Sequence, residues 1–252
     1  MNEQRVRVDI DDAGVATVTM TRAERHNALD GAMLEALLQC TEQLHQDPDI
    51  RAVVLRGDGE SFCAGLDVQH FLQDPDKIGE LLIRQPGEVA NLAQHVSYDW
   101  HRLPVPVIAA ITGNCFGGGL QIALGADIRV AAPNARLSIM EVRWGLVPDM
   151  GITQWLPKLV GIDVAKELTF TGRVVSGTEA KDLHLVTYTA PDPHAYALQL
   201  AHDIACHPPK TVRAAKTLFN ETWTADAATG LALETKLQRD LLIDLRTLEA
   251  DR

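Results

Sequence analysis

The 252-residue sequence predicts an α/β fold, and three observations support this prediction. Strand-like and helix-like segments alternate along most of the chain, as they do in proteins built around a mainly parallel sheet. Two of the connections from a strand to a helix pass through glycines. From about Pro209 onward the pattern is helical throughout, so this end cannot extend the sheet and must dock elsewhere, on the core or on a neighbouring subunit.

The first elements follow from hydrophobic periodicity. Two segments that alternate apolar and polar residues, RVRVDI and VATVTM, flank a DDAG turn and predict a β-hairpin. The next segment, DGAMLEALLQCTEQLHQD, has helical spacing, and Asp30 is a suitable N-cap. The apolar run IRAVVLRG predicts a buried strand that ends in a turn.

The later elements complete a single domain. Residues 71–102 are mostly helical in pattern, with a break near residues 85–87. From Gly151 the pattern is again helical. We predict a core over residues 1–190 and a helical C-terminal region over residues 191–252. The remaining predicted strands are VPVIAAITG, ADIRVAAP, ARLSI and the interval LHLVTYTA.

Composition excludes several function classes. The formal net charge of −11 and the pI of about 5.2 disfavour a nucleic-acid-binding protein. The four cysteines form no CxxC pair, which disfavours a zinc ribbon or a disulfide framework. His202 and His207 are too poorly spaced for us to predict a metal site. No apolar leader or membrane-length run occurs, so we expect a cytoplasmic protein.

Two glycine-containing connections are the first candidates for a functional site. GESFCAGLDVQHF and GNCFGGGLQIAL each lead from a strand-like run into a helix-like run, predicted to begin near Leu66 and Gly118. Backbone N–H groups at helix starts have no partner within the helix and suit an anion or oxyanion. Each segment alone is also compatible with an ordinary connection. Together, they offer two N–H donors for one developing oxyanion.

Two acids lie in the segment LSIMEVRWGLVPDMGITQWLPKLVG, which is otherwise rich in Ile, Met, Val, Trp and Leu. Glu141 and Asp149 would gain raised pKa values there, which suits proton transfer near neutral pH. The alternative is that both are solvated acids in a loop beside a core strand.

These segments together resemble the crotonase family, the enoyl-CoA hydratase/isomerase superfamily, over about residues 6–219. The segments are RAERHNAL, AVVLRGDGESFCAGLD, ITGNCFGGGLQIALGADIRVAA, MEVRWGLVPDMGITQWLPKLVG and FTGRVVSGTEAKDLHLV. The resemblance implies a spiral of repeated ββα units with a helical C-terminal region for trimerisation. It also implies acyl-CoA thioester substrates without a separate cofactor or metal, and a homotrimer or a dimer of trimers.

The resemblance also implies roles for individual residues. The N–H groups of Leu66 and Gly118 would hold the thioester oxygen, next to Gly117. Arg25 would contact the CoA phosphates, with Arg22 and His26 as weaker candidates. The backbone around Phe62 and Ala64 would line the adenine pocket.

Gln121 and Asp149 decide which reaction the resemblance implies. Family hydratases generally carry a glutamate at the position of Gln121 and a second at the position of Glu141. An acid at the position of Asp149 is similar to the dienoyl-CoA isomerases, so we predict double-bond isomerisation of an enoyl- or dienoyl-CoA. Gln121 would then orient the thioester or a water molecule. The alternatives are hydration of a 2-enoyl-CoA with Glu141 activating water, and a catalytically silent acyl-CoA-binding subunit.

Overall fold

A computed structural model of the protein describes residues 4–68 and 79–250, so part of the predicted helical block 71–102 lies outside the described residues. The α/β prediction is confirmed. The strands are β1 (Val6–Ile10), β2 (Val15–Met20), β3 (Ala52–Gly57), β4 (Val107–Ile111), β5 (Asn114–Phe116), β6 (Ile128–Ala131), β7 (Arg136–Ser138), β8 (Val175–Ser176) and β9 (Tyr188–Thr189).

Helices and short 3₁₀ turns connect and cover these strands. The helices are α1 (Gly31–Gln46), α2 (Leu92–Arg102), α3 (Gly118–Gly125), α4 (Leu156–Leu159), α5 (Ile162–Thr171), α6 (Gly177–Asp182), α7 (Pro193–Ala205), α8 (Pro209–Thr222) and α9 (Ala227–Ala250). The 3₁₀ turns are Ala23–Arg25, Glu141–Trp144 and Ile152–Gln154. None of these helices combines the length and the apolar character needed to cross a bilayer.

The larger sheet has the order β1-β2-β3-β4-β6-β9, and all of its pairs are parallel except the β1–β2 hairpin. Side chains of β3 alternate between its two faces. Val53 and Leu55 join the main core, whereas Ala52 and Val54 pack against the face that α7 covers. Because both faces are covered, the strand is apolar nearly throughout, as the sequence indicated.

A smaller sheet has the order β5-β7-β8, and β5 and β8 were not predicted. They contain three and two residues, too few to show an alternating pattern. β5 nevertheless matters for the site, because it stands between β4 and the glycines that open α3.

The cap of α1 and the docking of α8 follow from local chemistry. The Asp30 carboxylate accepts the Met33 N–H at 2.8 Å, which confirms the predicted N-cap. The buried Lys216 ammonium on α8 donates to Asp127 at 2.8 Å and to the Val105 carbonyl at 2.9 Å, so this helix docks on the core. The domain division at residue 190 and trimerisation through the C-terminal region stay predictions.

Candidate active site

The two glycine-containing connections are joined to each other through their backbones. The Cys63 N–H donates to the Asn114 carbonyl, and the Phe116 N–H donates to the Cys63 carbonyl, both at 3.0 Å. On its other side, the Gly65 carbonyl accepts the Leu29 N–H at 2.8 Å. The loop that follows β3 is therefore fixed against the entrance to α3.

Gly65 is required where these two loops meet. Its φ of +88° favours glycine, and a β-carbon there would lie 2.7 Å from the Phe116 carbonyl oxygen and 3.6 Å from the Gly118 nitrogen. Gly118 is the first residue of α3. Within the described part of the chain, the N–H groups of Leu66 and Gly118 have no backbone acceptor. The predicted helix start at Leu66 is wrong, because Leu66 forms an isolated bridge with Leu29 and the helix begins at Val68. The N–H groups of Leu66 and Gly118 stay the predicted donors for a ligand oxygen.

Gln121 is buried on α3, and both ends of its amide are engaged. Its Nε2 donates to Glu141 Oε1 at 2.6 Å, and its Oε1 accepts the Met150 N–H at 2.8 Å. Only 1% of Gln121 is exposed. The sequence suggested that Gln121 orients the thioester or a water molecule, but in the structure it holds Glu141 and the backbone that follows Asp149.

Glu141 stands beside the second glycine connection. A β-carbon at Gly117, whose φ is +51°, would lie 3.4 Å from Glu141 Oε1. The other oxygen, Oε2, is buried and accepts no hydrogen bond from the described residues. Burial raises the pKa of Glu141 and the nearby charge of Asp149 raises it further, against the lowering effect of the Gln121 hydrogen bond. Glu141 therefore has one oxygen held by Gln121 and one buried oxygen without a hydrogen-bond partner among the described residues.

Asp149 is the second acid of this site. Solvent reaches its side chain, yet the surrounding protein removes enough water to raise its pKa. Asp149 also lines a cavity of about 300 Å³ that extends between α2 and the 3₁₀ turn Ile152–Gln154. The charge of Asp149 acts on Glu141, but among the described residues only Asp149 of this pair lines the cavity.

Sequence reasoning missed two features of the site. The Met150 N–H that holds Gln121 gives no signal in the sequence, because any non-proline residue carries this group. Gln94 and Tyr98 line the cavity from α2, and their spacing of four residues places them on one face of that helix. This spacing was visible in the sequence, but its meaning depends on knowing which face meets residues 148–154.

The three N-terminal residues predicted to contact the CoA phosphates have different surroundings. The Arg22 guanidinium is nearly buried and pairs with Asp67 at 2.9 Å and with Asp30 at 3.4 Å. Arg25 is exposed at the end of the turn Ala23–Arg25. His26 Nδ1 lies 3.1 Å from the Ser61 hydroxyl. Arg25 is thus the candidate with a guanidinium in solvent, whereas Arg22 serves internal ion pairs.

The backbone at the predicted adenine pocket is also partly engaged. The Phe62 N–H donates to the Thr112 carbonyl at 2.8 Å, and the Ala64 N–H donates to the His26 carbonyl at 2.9 Å. The adenine pocket around Phe62 and Ala64 stays a prediction. Among the described residues, no group of three or more His, Cys, Asp or Glu side chains could hold a metal ion.

Comparisons with known proteins identify the family of this chain. The family model "Enoyl-CoA hydratase/isomerase" matches residues 11–246. YngF of Bacillus subtilis, which carries the provisional name enoyl-CoA hydratase/isomerase, is 40% identical over 88% of this chain and 84% of its own length. The mouse mitochondrial methylglutaconyl-CoA hydratase is 34% identical over 92% of this chain and 74% of its own length.

A solved structure gives the same result for the fold. The crystal structure of an enoyl-CoA hydratase from Bacillus anthracis superimposes with a TM-score of 0.87 at 32% sequence identity, over 99% of this chain and 97% of that one. The predicted crotonase-like fold is confirmed. The chain belongs to the enoyl-CoA hydratase/isomerase family, the crotonase family.

Proposed function

We propose that the protein isomerises a double bond in an enoyl- or dienoyl-CoA thioester. This proposal rests on the positions of two acids. Glu141 lies beside the glycine connection with one unpartnered oxygen, and Asp149 lies at the cavity next to it. Isomerisation takes a proton from one carbon of the acyl chain and returns a proton to another. One acid can do both, but two acids in these positions can divide the two transfers between them.

For a 3-enoyl-CoA, isomerisation consists of two proton transfers. The Glu141 carboxylate takes a proton from C2, and the electron pair moves into the thioester to form an enolate. The Leu66 and Gly118 N–H groups stabilise the enolate oxygen. Protonated Asp149 gives its proton to C4, and the double bond moves from C3–C4 to C2–C3. The proton on Glu141 returns to Asp149 through solvent before the next turnover.

The raised pKa values of both acids support proton transfer at this site. Two neighbouring carboxyl groups in a partly desolvated site do not readily ionise together, so one can act as base while the other retains its proton. Gln121 cannot replace either of them, because an amide exchanges no proton at useful pH. Its two hydrogen bonds instead fix the position of Glu141 relative to the enolate.

The second candidate is hydration of a 2-enoyl-CoA, which the names of the hydratase relatives favour. Glu141 would activate water and Asp149 would replace the missing acid at position 121. Against this reading, Gln121 Nε2 already occupies the Glu141 oxygen on the side where a second glutamate would hold water. In either case we propose that Arg25 contacts the CoA phosphates and that a cytoplasmic homotrimer, or a dimer of trimers, is the working form.

The test is turnover in D₂O of a 3-enoyl-CoA, a 3,5-dienoyl-CoA and a 2-enoyl-CoA. Isomerisation of the first should place deuterium at C4, whereas hydration of the last adds deuterium at C2 and a hydroxyl at C3. The variants Glu141→Gln and Asp149→Asn should each lower isomerisation by about 10²–10⁴-fold, the usual contribution of a general acid or base.

Three outcomes separate the candidates. Loss of isomerisation in both variants supports the proposal. Hydration that persists in Asp149→Asn and disappears in Glu141→Gln contradicts isomerisation and favours the hydratase. Tight binding of acyl-CoA without turnover of any substrate would indicate a silent binding subunit.

A further inference from the structure

The cavity beside Asp149 has a chemical character that restricts the acyl group. At about 300 Å³ it lies at the lower end of the range of about 300–1,000 Å³ that is usual for ligand cavities. Four of its lining side chains are polar and uncharged. They are Gln94, Tyr98, Thr153 and Gln154.

These polar groups retain hydrogen-bonding capacity. The Gln94 Oε1 accepts the Asn91 N–H at 3.0 Å as part of a capping box, but no hydrogen bond from its Nε2 occurs within the described residues. Gln154 Nε2 donates to the Thr153 hydroxyl oxygen at 3.2 Å, which leaves the Thr153 O–H free to donate. Covering such groups with a long alkyl chain would desolvate them without replacement partners.

The far wall is fixed by aromatic packing. The Tyr98 ring stacks on Trp155 with a centroid distance of 5.7 Å and an interplanar angle of 27°. Trp155 is itself only 8% exposed and stands behind Tyr98, outside the cavity lining. Tyr98 is therefore backed by a buried ring and cannot easily turn aside to lengthen the cavity.

The charge of the cavity lining also restricts the acyl group. Asp149 is the one charged side chain among the described residues that line the cavity. An acyl group that ends in a second carboxylate would enter a partly desolvated space whose described lining offers no cation. Desolvating that carboxylate without a cation to pair with it costs free energy, whether or not Asp149 carries its proton.

We propose that this cavity receives the acyl end of the thioester and selects short, uncharged acyl groups, with or without a hydroxyl, while it rejects long alkyl chains and a distal carboxylate. This inference rests on the proposed acyl-CoA chemistry, because it needs the thioester to be held at Leu66 and Gly118.

The test uses CoA thioesters that differ only at the distal end: 3-hexenoyl, 6-hydroxy-3-hexenoyl, 3-hexenedioyl and 3-dodecenoyl. The matching 2-enoyl series is run in parallel, so the comparison holds for either reaction. The kcat/KM values of the first two should agree within about tenfold, and that of 3-hexenedioyl-CoA should be lower by about 100-fold. The 3-dodecenoyl-CoA value should also be lower than that of 3-hexenoyl-CoA.

A cation placed in the wall should reverse the charge selection. Thr153→Lys should raise the ratio of kcat/KM for 3-hexenedioyl-CoA to that for 3-hexenoyl-CoA by about tenfold or more. The matched control is Thr217→Lys, an identical charge change at an exposed site on α8 away from the cavity, which should leave this ratio unchanged.

Binding affinities of saturated acyl-CoA thioesters show whether the cavity assignment or the proposed reaction is wrong. The saturated pair hexanoyl-CoA and adipoyl-CoA reports binding without turnover, and hexanoyl-CoA should bind more tightly. Equal affinity for the pair, or a preference for 3-dodecenoyl-CoA, would overturn the inference while leaving the chemistry intact. Absence of all turnover together with weaker adipoyl-CoA binding would overturn the chemistry and support the cavity assignment.

Discussion

Gln121 shows how one buried amide can set the chemistry of its neighbours. It donates to Glu141 at 2.6 Å and accepts from the Met150 backbone at 2.8 Å, so it couples the two segments that carry the acids. A glutamine performs this task without adding charge to the site. A glutamate at the same position would instead bring a third titratable group close to Glu141 and Asp149.

Gln121→Glu should therefore change the reaction and its pH dependence together. Two carboxyl groups in close contact share a proton, so the second of the pair's two apparent pKa values rises and the pH profile of isomerisation shifts upward. We expect hydration of a 2-enoyl-CoA to increase by about tenfold or more, since a second acid can now hold water. Steady-state rates on both substrates across pH 5–9 provide the measurement.

The control removes the same hydrogen bonds without adding an acid. Gln121→Met keeps a similar volume but leaves Glu141 Oε1 and the Met150 N–H without partners, so isomerisation should fall and hydration should not appear. If both activities and both pH profiles are unchanged in Gln121→Glu, Gln121 does not position Glu141 as we infer.

At the scale of elements, the start of α3 supplies one of the two N–H donors of the proposed mechanism. The helix begins at Gly118, whose N–H has no partner within the helix. Gly118→Pro removes this N–H at a position where helices tolerate proline. Because the proposed enolate would lose one of its two donors, kcat should fall by about 10²–10³-fold.

Gly118→Ala is a closely matched control. A β-carbon there would lie 2.8 Å from the Met150 sulfur and 3.0 Å from Leu29 Cδ1, both on flexible side chains that proline would also displace. Alanine keeps the N–H. Rates that fall equally in the two variants would mean that steric displacement, rather than loss of a hydrogen-bond donor, explains the effect.

The same elements show where sequence reasoning succeeds and where it stops. β2, β3 and β4 were predicted because five or six residues suffice to show a strand pattern, and α1 because its cap and its apolar face agree. β5 and β8 were missed because two or three residues carry no period. The sequence identified Gln121 by its residue type. Its partner, the Met150 N–H, lies 29 residues away along the chain, so only tertiary packing brings the two groups together.

At the scale of the whole molecule, ionisation of Glu141 lowers the free energy of unfolding. Burial raises the pKa of Glu141 in the folded state above the ordinary value of about 4.3 that the unfolded chain retains. Between these two pKa values the folded protein binds more protons than the unfolded chain. The free energy of unfolding therefore decreases as pH rises through this interval, and the ionised group remains destabilising above it.

Glu141→Gln should remove this penalty, because the amide stays neutral and its oxygen can still accept the Gln121 hydrogen bond. Its free energy of unfolding should exceed that of the unmodified protein at pH 7, and the difference should vanish below about pH 4, where both states are protonated. For a chain of this size each kcal/mol moves Tm by about 2–4 °C, so thermal unfolding at fixed protein concentration resolves it.

The comparison variant is Glu35→Gln, at an exposed position on α1. A surface change of this kind should alter the free energy of unfolding by less than about 0.5 kcal/mol at any pH. A pH-dependent gain confined to Glu141→Gln would show that the carboxylate needed for proton transfer lowers the stability of the folded protein. A Glu141→Gln protein that is less stable than the unmodified protein at pH 7 would mean that the Glu141 carboxylate is better stabilised than its unpartnered oxygen suggests.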